Sequence, residues 1–184
     1  MEVRPLAIPD VLLIVPDLYR DPRGFFLETW QAEKYAAAGI DATFVQDNHS
    51  RSGRGTLRGL HAQLHSPQGK LVRVSSGEVF DAAVDIRLDS PTYGKWVGAM
   101  LSDENGHQLW LPPGFAHGFC VVSENADFEY KCTTLYTPDD QVVIQWDDPA
   151  IGVEWPVTEP LLSDRDRDAV PLSEWTERLR EAAR

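Results

Sequence analysis

The sequence predicts an all-β fold, a sandwich or barrel with a few short peripheral helices, forming one domain over residues 1–184. Three observations carry this expectation. Turn signals recur roughly every 8 to 15 residues: "SSG" at 75–77, "DSPTYG" at 89–94, "DENG" at 103–106, "PPG" at 112–114 and "TPDD" at 137–140. Short runs rich in β-branched and aromatic residues lie between them. Helical periodicity is confined to two brief stretches.

In chain order, "WQAEKYAAAG" reads as a short helix ended by Gly39, whose missing Cβ suits the left-handed position after a helix. "RGLHAQL", residues 58–64, reads as a strand with an ionisable pair, Arg58 and His61, where packing residues are usual. The strands "KLVRV", "EVFDAAVDIRL", "KWVGAML", "HQLWL", "HGFCVV", "DFEYKCTTLY" and "QVVIQW" follow. The longest alternates, with Phe80, Ala82, Val84, Ile86 and Leu88 on one face and Asp81, Asp85 and Arg87 on the other. The tail from Ser173, with Trp175 and Leu179 four apart, reads as an amphipathic helix.

Charge narrows the partners. Seventeen basic and 29 acidic residues give a net charge of −12, which repels phosphate backbones and argues against nucleic acid. No apolar run approaches the roughly 18 residues of a membrane span, and "MEVRPLAIPD" lacks the basic and apolar regions of a signal peptide. A cytoplasmic location is the expectation. Cys120 and Cys132 fall in apolar runs and read as buried free thiols. Between Gln46 and Ser75 the balance reverses: Arg51, Arg54, Arg58, Lys70 and Arg73 face only Asp47. Such an island suits a small anionic ligand, and equally suits charges projecting from strand faces.

"GHQLWLPPGFAHGFC", with Gly106, Pro112, Gly114 and His117, resembles the second motif of the cupin superfamily, small double-stranded jelly rolls. Pro112 and Gly114 suggest a tight hairpin delivering His117 to an inward-facing strand. Gly55 and His61 fit the opening of the first cupin motif. Gln63 and Gln68 stand where metal-binding cupins place a second His and a Glu, and neutral amides are poor ligands for Fe, Mn, Ni or Zn. His65 lies about 13 Å from His61 along an extended chain, too far to share a metal with it. No metal is expected.

From "DPRGFFLETW" to "LLSDRD" the chain resembles the dTDP-4-dehydrorhamnose 3,5-epimerase family, a metal-free branch of the cupins. The likeness runs through "FVQDNHSRS", "GTLRGLHAQ", "QGKLVRVSSGEVFDAAVDIRLDSPTYGKW", "LSDENGHQLWLPPGFAHGF", "DFEYKCT" and "WDDPAIGVEWP". It implies a cupin jelly-roll barrel, no cofactor, and inversion of C3 and C5 of a dTDP-linked 4-keto-6-deoxyhexose. A single-centre epimerase of a related nucleotide-linked 4-keto sugar is the alternative. Inverting a carbon beside a ketone needs a base, an acid on the opposite face and a donor for the enolate oxygen.

The resemblance implies His61 as the base, with Asp166 of "SDRD" fixing its tautomer. Unaided, "SDRDRD" reads as a solvated charge run. Tyr130 matches the proton donor, although its register with Phe128 and Cys132 also fits an ordinary core tyrosine. Lys70 matches the group meeting the 4-oxyanion; otherwise it reads as a solvent-facing strand lysine. Arg23, Arg58 and His117 correspond to diphosphate contacts, and Arg165 to a position near the sugar nucleotide. Glu28, Gln46, Asp47 and Asn48 correspond to nucleotide contacts and Gln141 to a ligand contact, some of these coming in such enzymes from a partner subunit that exchanges its N-terminal strand, so a homodimer is implied. If Arg58 holds phosphate and His61 faces the sugar, their odd spacing puts them on opposite strand faces unless Gly59 introduces a bulge. The chain departs from the family pattern at Ala62, in a "LHSPQG" segment one residue short, at Gln141 for an acid, at Arg165 for a lysine, and in a lone Tyr136 for a tyrosine pair. Ala62 and the short segment flank the base and are expected to reshape the sugar pocket.

Overall fold

The computed structural model describes residues 1–182. Strands β1 (Glu2–Pro5) and β2 (Leu12–Val15) precede a hairpin, β3 (Tyr19–Asp21) and β4 (Gly24–Phe26), and helix α1 (Ala32–Ala37). Five strands follow: β5 (Gln46–Gly53), β6 (Leu57–Gln63), β7 (Lys70–Ser76), β8 (Glu78–Asp85) and β9 (Trp96–Ser102). The last four are β10 (Gln108–Leu111), β11 (Phe115–Val121), β12 (Asn125–Cys132) and β13 (Gln141–Val143). Helices α2 (Asp164–Arg167) and α3 (Leu172–Ala182) close the described chain.

These strands make the expected jelly roll. One antiparallel sheet has the order β1-β2-β10-β7-β12-β5 and the other β13-β6-β11-β8-β9, while β3 and β4 pair only with each other. The two large sheets stay separate, so the barrel is flattened. Its interior is filled by Val72, Val74, Val79, Leu109, Phe119 and Phe128 among others, with Phe119 and Phe128 stacked at 4.0 Å.

Both outer faces are also covered. Helix α1 lays Tyr35 against Ile14, Leu71 and Trp110 on the six-stranded sheet. Helix α3 brings Leu172, Trp175 and Leu179 over Leu60, Val84 and Ile144 on the other. Central strands therefore lie buried on both sides, and all seven residues of β11 are buried. Gly39, at φ +93°, ends α1 as expected, its N–H bonding the Ala36 carbonyl.

Two expectations change, and the direction of the acidic face of β8 is fixed. The "PPG" turn is not a hairpin: β10 belongs to one sheet and β11 to the other, so the turn carries the chain across the sandwich. Asp81 and Asp85 have no exposed surface, because the face of β8 that carries them points inward. Within "SDRDRD", which forms α2 and its Ser163 cap, Asp166 turns inward at 3% exposed while the residues beside it stay exposed. Cys120 and Cys132 are buried free thiols, as expected.

Candidate active site

Between the sheets opens a cleft of about 580 Å³, lined from β5, β6, β7, β11, β12, β13 and α2. Its wall at β6 depends on a bulge. His61 pairs with His117, but Arg58 pairs with Phe119, so three residue steps of β6 oppose two of β11. The extra residue brings both Arg58 and His61 into the cleft, which resolves their odd spacing. Gly59 permits this: its φ is +129°, and a Cβ there would stand 2.5 Å from the Gly118 Cα.

His61 meets Asp166 through Nε2 at 2.5 Å, across 105 residues of sequence. The carboxylate comes from the first turn of α2, where Ser163 Oγ donates to its Oδ2 at 2.8 Å. Burial works against its charge, but the hydrogen bond and charge of His61, with that of Ser163, hold Asp166 below the usual carboxylate range. An ionised Asp166 accepts, so Nε2 carries the imidazole proton and Nδ1 keeps the lone pair.

The opposite sheet supplies Lys70 and Tyr130. Lys70 is only 7% exposed, far from the solvent-facing strand lysine of one sequence reading, and Nζ lies 3.5 Å from the His61 carbonyl. Burial pulls its ammonium below the ordinary lysine range. Tyr130 packs against the Phe128 ring at 6.0 Å while also lining the cleft, and burial raises its phenol above the usual range.

His117 sits beside His61 rather than Arg58 and is buried, its Nε2 bonded to Asp81 Oδ2 at 2.8 Å. Asp81 is a site residue that sequence reasoning missed. Its alternation was visible, but nothing local said which face of β8 is interior.

At the cleft mouth, Arg58 donates from Nε and Nη2 to Ser52 Oγ at 3.1 and 3.0 Å. Arg165 donates to Gln141 Oε1, which also accepts from Tyr136 at 3.2 Å. Gln46 accepts from the Tyr136 backbone at 2.8 Å and donates to Asn48 at 3.0 Å. The basic island is thus divided: Arg58 and Lys70 enter the cleft, while Arg51 pairs with Asp127 and Arg73 with Glu129.

Other expected residues do not join them within one chain. Asp47 pairs with Lys131 at 3.0 Å beside a separate cavity of about 250 Å³. Arg23 projects from the β3–β4 turn, 90% exposed and, among the described residues, bonded only to Asp21, and Glu28 pairs with Lys34 at 2.8 Å. Ala62 faces away from the cleft, packed with Leu60 and Val142, so it does not shape the pocket; Gln68 of the shortened segment does line it. Both amides of the first cupin motif brace loops: Gln63 bonds Ser66, Leu135 and Thr137, and Gln68 bonds the Thr134 carbonyl.

A flattened jelly roll whose cleft carries an imidazole–carboxylate pair, a buried lysine and a phenol defines an epimerase-type cupin. The family model described as dTDP-4-dehydrorhamnose 3,5-epimerase matches residues 5–174, and the chain belongs to that family. It is 53% identical over 169 residues to the Pseudomonas aeruginosa protein of that name, covering 91% of this chain and 93% of the relative. The Neisseria gonorrhoeae protein of that name is 54% identical over 167 residues, or 90% of this chain, which spans about half (51%) of that relative's length. The Legionella pneumophila enzyme, solved in complex with dTDP-4-keto-L-rhamnose, superposes with a TM-score of 0.91 at 51% identity, covering 94% of this chain and 93% of that one.

Proposed function

We propose that the chain is a cofactor-free dTDP-4-dehydrorhamnose 3,5-epimerase, inverting C3 and C5 of dTDP-4-dehydro-6-deoxy-D-glucose in dTDP-L-rhamnose synthesis. The observation that carries the reading is the 2.5 Å His61–Asp166 contact at the wall of a cleft shared with Lys70 and Tyr130.

The chemistry follows from that arrangement. C3 and C5 both flank the C4 ketone, so losing a proton from either gives an enolate. His61 Nδ1 takes the proton, and Asp166 stabilises the imidazolium that forms. The Lys70 ammonium meets the developing O4 charge. Tyr130, held on the opposite sheet and protonated by its burial, returns a proton to the other face of the carbon. The sugar's formula is unchanged, and solvent exchange resets base and acid.

Arg58 and Arg165 hold the diphosphate, with guanidinium planes matched to phosphate oxygens. His117, beside His61, serves the sugar rather than the diphosphate. Gln46, Asn48 and Gln141 contact the nucleotide. Arg23, Glu28 and Asp47 complete the site from a partner subunit or at its edge, in a cytoplasmic homodimer. Supporting that assembly, the β3–β4 hairpin exposes Tyr19, Phe25 and Phe26.

Incubation with dTDP-4-keto-6-deoxyglucose in heavy water, read by proton NMR, tests the reading. Deuterium is expected at C3 and C5. Exchange at one carbon alone would establish the single-centre alternative. No exchange at either carbon would remove the proposal.

A further inference from the structure

One buried acid has no part in these proton transfers. Asp81 of β8 has no exposed surface; its Oδ2 accepts from His117, and its Oδ1 has no partner among the described residues. On the opposite sheet, the buried Lys70 Nζ makes only a long contact with the His61 carbonyl, and among the described residues no carboxylate is in ion-pair contact with it. A buried carboxylate with an orphan oxygen and a buried ammonium with one weak acceptor are each costly alone.

Of the other groups lining the cleft with Lys70, the one that carries negative charge, Asp166, is already bonded to His61 and Ser163. Cys132, from β12, is a thiol kept neutral by burial, and Tyr130 on the same strand is a neutral phenol. His117, from β11, is kept neutral by burial and offers its Nε2–H to Asp81. From β6 comes only the His61 carbonyl. Asp81 is the buried carboxylate whose charge acts on Lys70 across the interior, where attraction is weakly screened; burial raises its own pKa, and the hydrogen bond and charge of His117 and the charge of Lys70 oppose that rise.

We propose that Asp81 is the buried counter-ion that keeps Lys70 charged in the floor of the cleft, while fixing the tautomer of His117. It is a positioning residue, acting through Lys70. Burial pulls the lysine toward the neutral amine and Asp81 pushes it back, so the enolate would meet a far weaker electrophile without Asp81. Only this catalytic consequence rests on the epimerase reading; the charge on Lys70 can be measured without it.

The test is NMR of protein labelled with ¹³C at lysine Cε, with Lys70 assigned through Lys70→Arg. In the unaltered chain the Lys70 signal should keep its ammonium position to about pH 8; in Asp81→Asn its midpoint should fall by at least about one unit, a tenfold change in proton affinity. Asp81→Glu, which retains the charge, should restore the unaltered titration. In kinetics, Asp81→Asn should lower kcat at least about tenfold with KM within about threefold, and move the basic limb of kcat to lower pH. A folded Asp81→Asn protein with unmoved Lys70 titration overturns the proposal and leaves Asp81 a packing partner of His117. If that variant does not fold, the unaltered chain decides, and an amine signal for Lys70 at neutral pH overturns it. If the unaltered chain shows the ammonium and the Asp81 dependence but no deuterium exchange, the counter-ion stands and the epimerase reading falls.

Discussion

Two histidine–aspartate pairs stand side by side on paired strands, and they differ in what surrounds them. His61 is 28% exposed and its partner Asp166 arrives on a short helix, with both carboxylate oxygens bonded. His117 is 7% exposed and its partner Asp81 lies wholly inside β8, with one oxygen unsatisfied. A pair open to the cleft, with an ionised and fully bonded carboxylate, can take up and release a proton at the free ring nitrogen. A pair sealed in the core cannot change charge cheaply, so it serves better as a fixed element of the field. The same two residue types therefore divide into a mobile-proton site and a static one by burial and by the number of bonds to the acid.

The largest expected effect breaks the first pair. His61→Asn should remove epimerisation and solvent exchange at both carbons by at least about a thousandfold, with an unchanged melting profile. Asp166→Asn should cost about a hundredfold or more in kcat, because an amide fixes the tautomer poorly and leaves the imidazolium uncompensated. Stopped assays of substrate inversion with each variant check both. If His61→Asn kept most of its exchange, the base would have to lie elsewhere in the cleft, and the contrast between the pairs would dissolve.

That contrast was only half visible in the amino-acid order. Alternation and turn residues marked β6 to β13, since the period of two and the Gly/Pro breaks are local properties. The short strands β1 to β4 carry no such pattern and went unmarked. Asp166 could not be told from the charges beside it, because its burial is decided by His61, 105 residues away. Asp81 was placed on the correct strand and with the correct neighbours of face. Its inward direction stayed hidden because helices cover both outer surfaces, so apolar residues fill both faces of β8. The catalytic set came from the family resemblance; the bulge that aims it followed from Gly59 and the odd spacing.

A smaller effect is expected at the anion end of the cleft. Arg58 is held by two hydrogen bonds to the buried Ser52 hydroxyl, which aims its guanidinium. Arg58→Lys should raise KM about tenfold with little change in kcat, because a point charge replaces a planar fork in binding that is equal in ground and transition states. A fall in kcat with KM unchanged would move Arg58 to the chemical step and join it to the His61 pair.

A third buried acid sharpens the comparison through stability. Asp85 lies four residues beyond Asp81 on the same face of β8, yet its carboxylate accepts from Arg87, Ser90 and Thr92. Burial raises it, but those bonds prevail and hold its pKa at about 2. A depressed folded pKa gives stability that is present above the ordinary carboxylate range and lost as pH falls toward 2. Asp85→Asn should therefore lower unfolding free energy by about 1–2 kcal/mol at neutral pH, and the difference should vanish near pH 2. Denaturant melts across that range measure it; a gap that persists in acid would assign the loss to packing instead of charge.

The smallest change tests how the open pair is held. Ser163 has two tasks at once: its hydroxyl accepts from the Asp166 N–H at 3.2 Å as the cap of α2, and donates to Asp166 Oδ2 at 2.8 Å. Removing it leaves His61–Asp166 in contact but takes away the bond that helps keep the carboxylate ionised. Ser163→Ala should cost about 1 kcal/mol of stability from the lost cap. It should also lower kcat by about threefold to tenfold at neutral pH, with the acid limb of kcat moved upward as Asp166 becomes easier to protonate. Ser163→Thr, which keeps the hydroxyl, should recover both. A stability loss without the shift in the acid limb would make Ser163 a helix cap alone, and the ionisation of Asp166 would then rest on His61 itself.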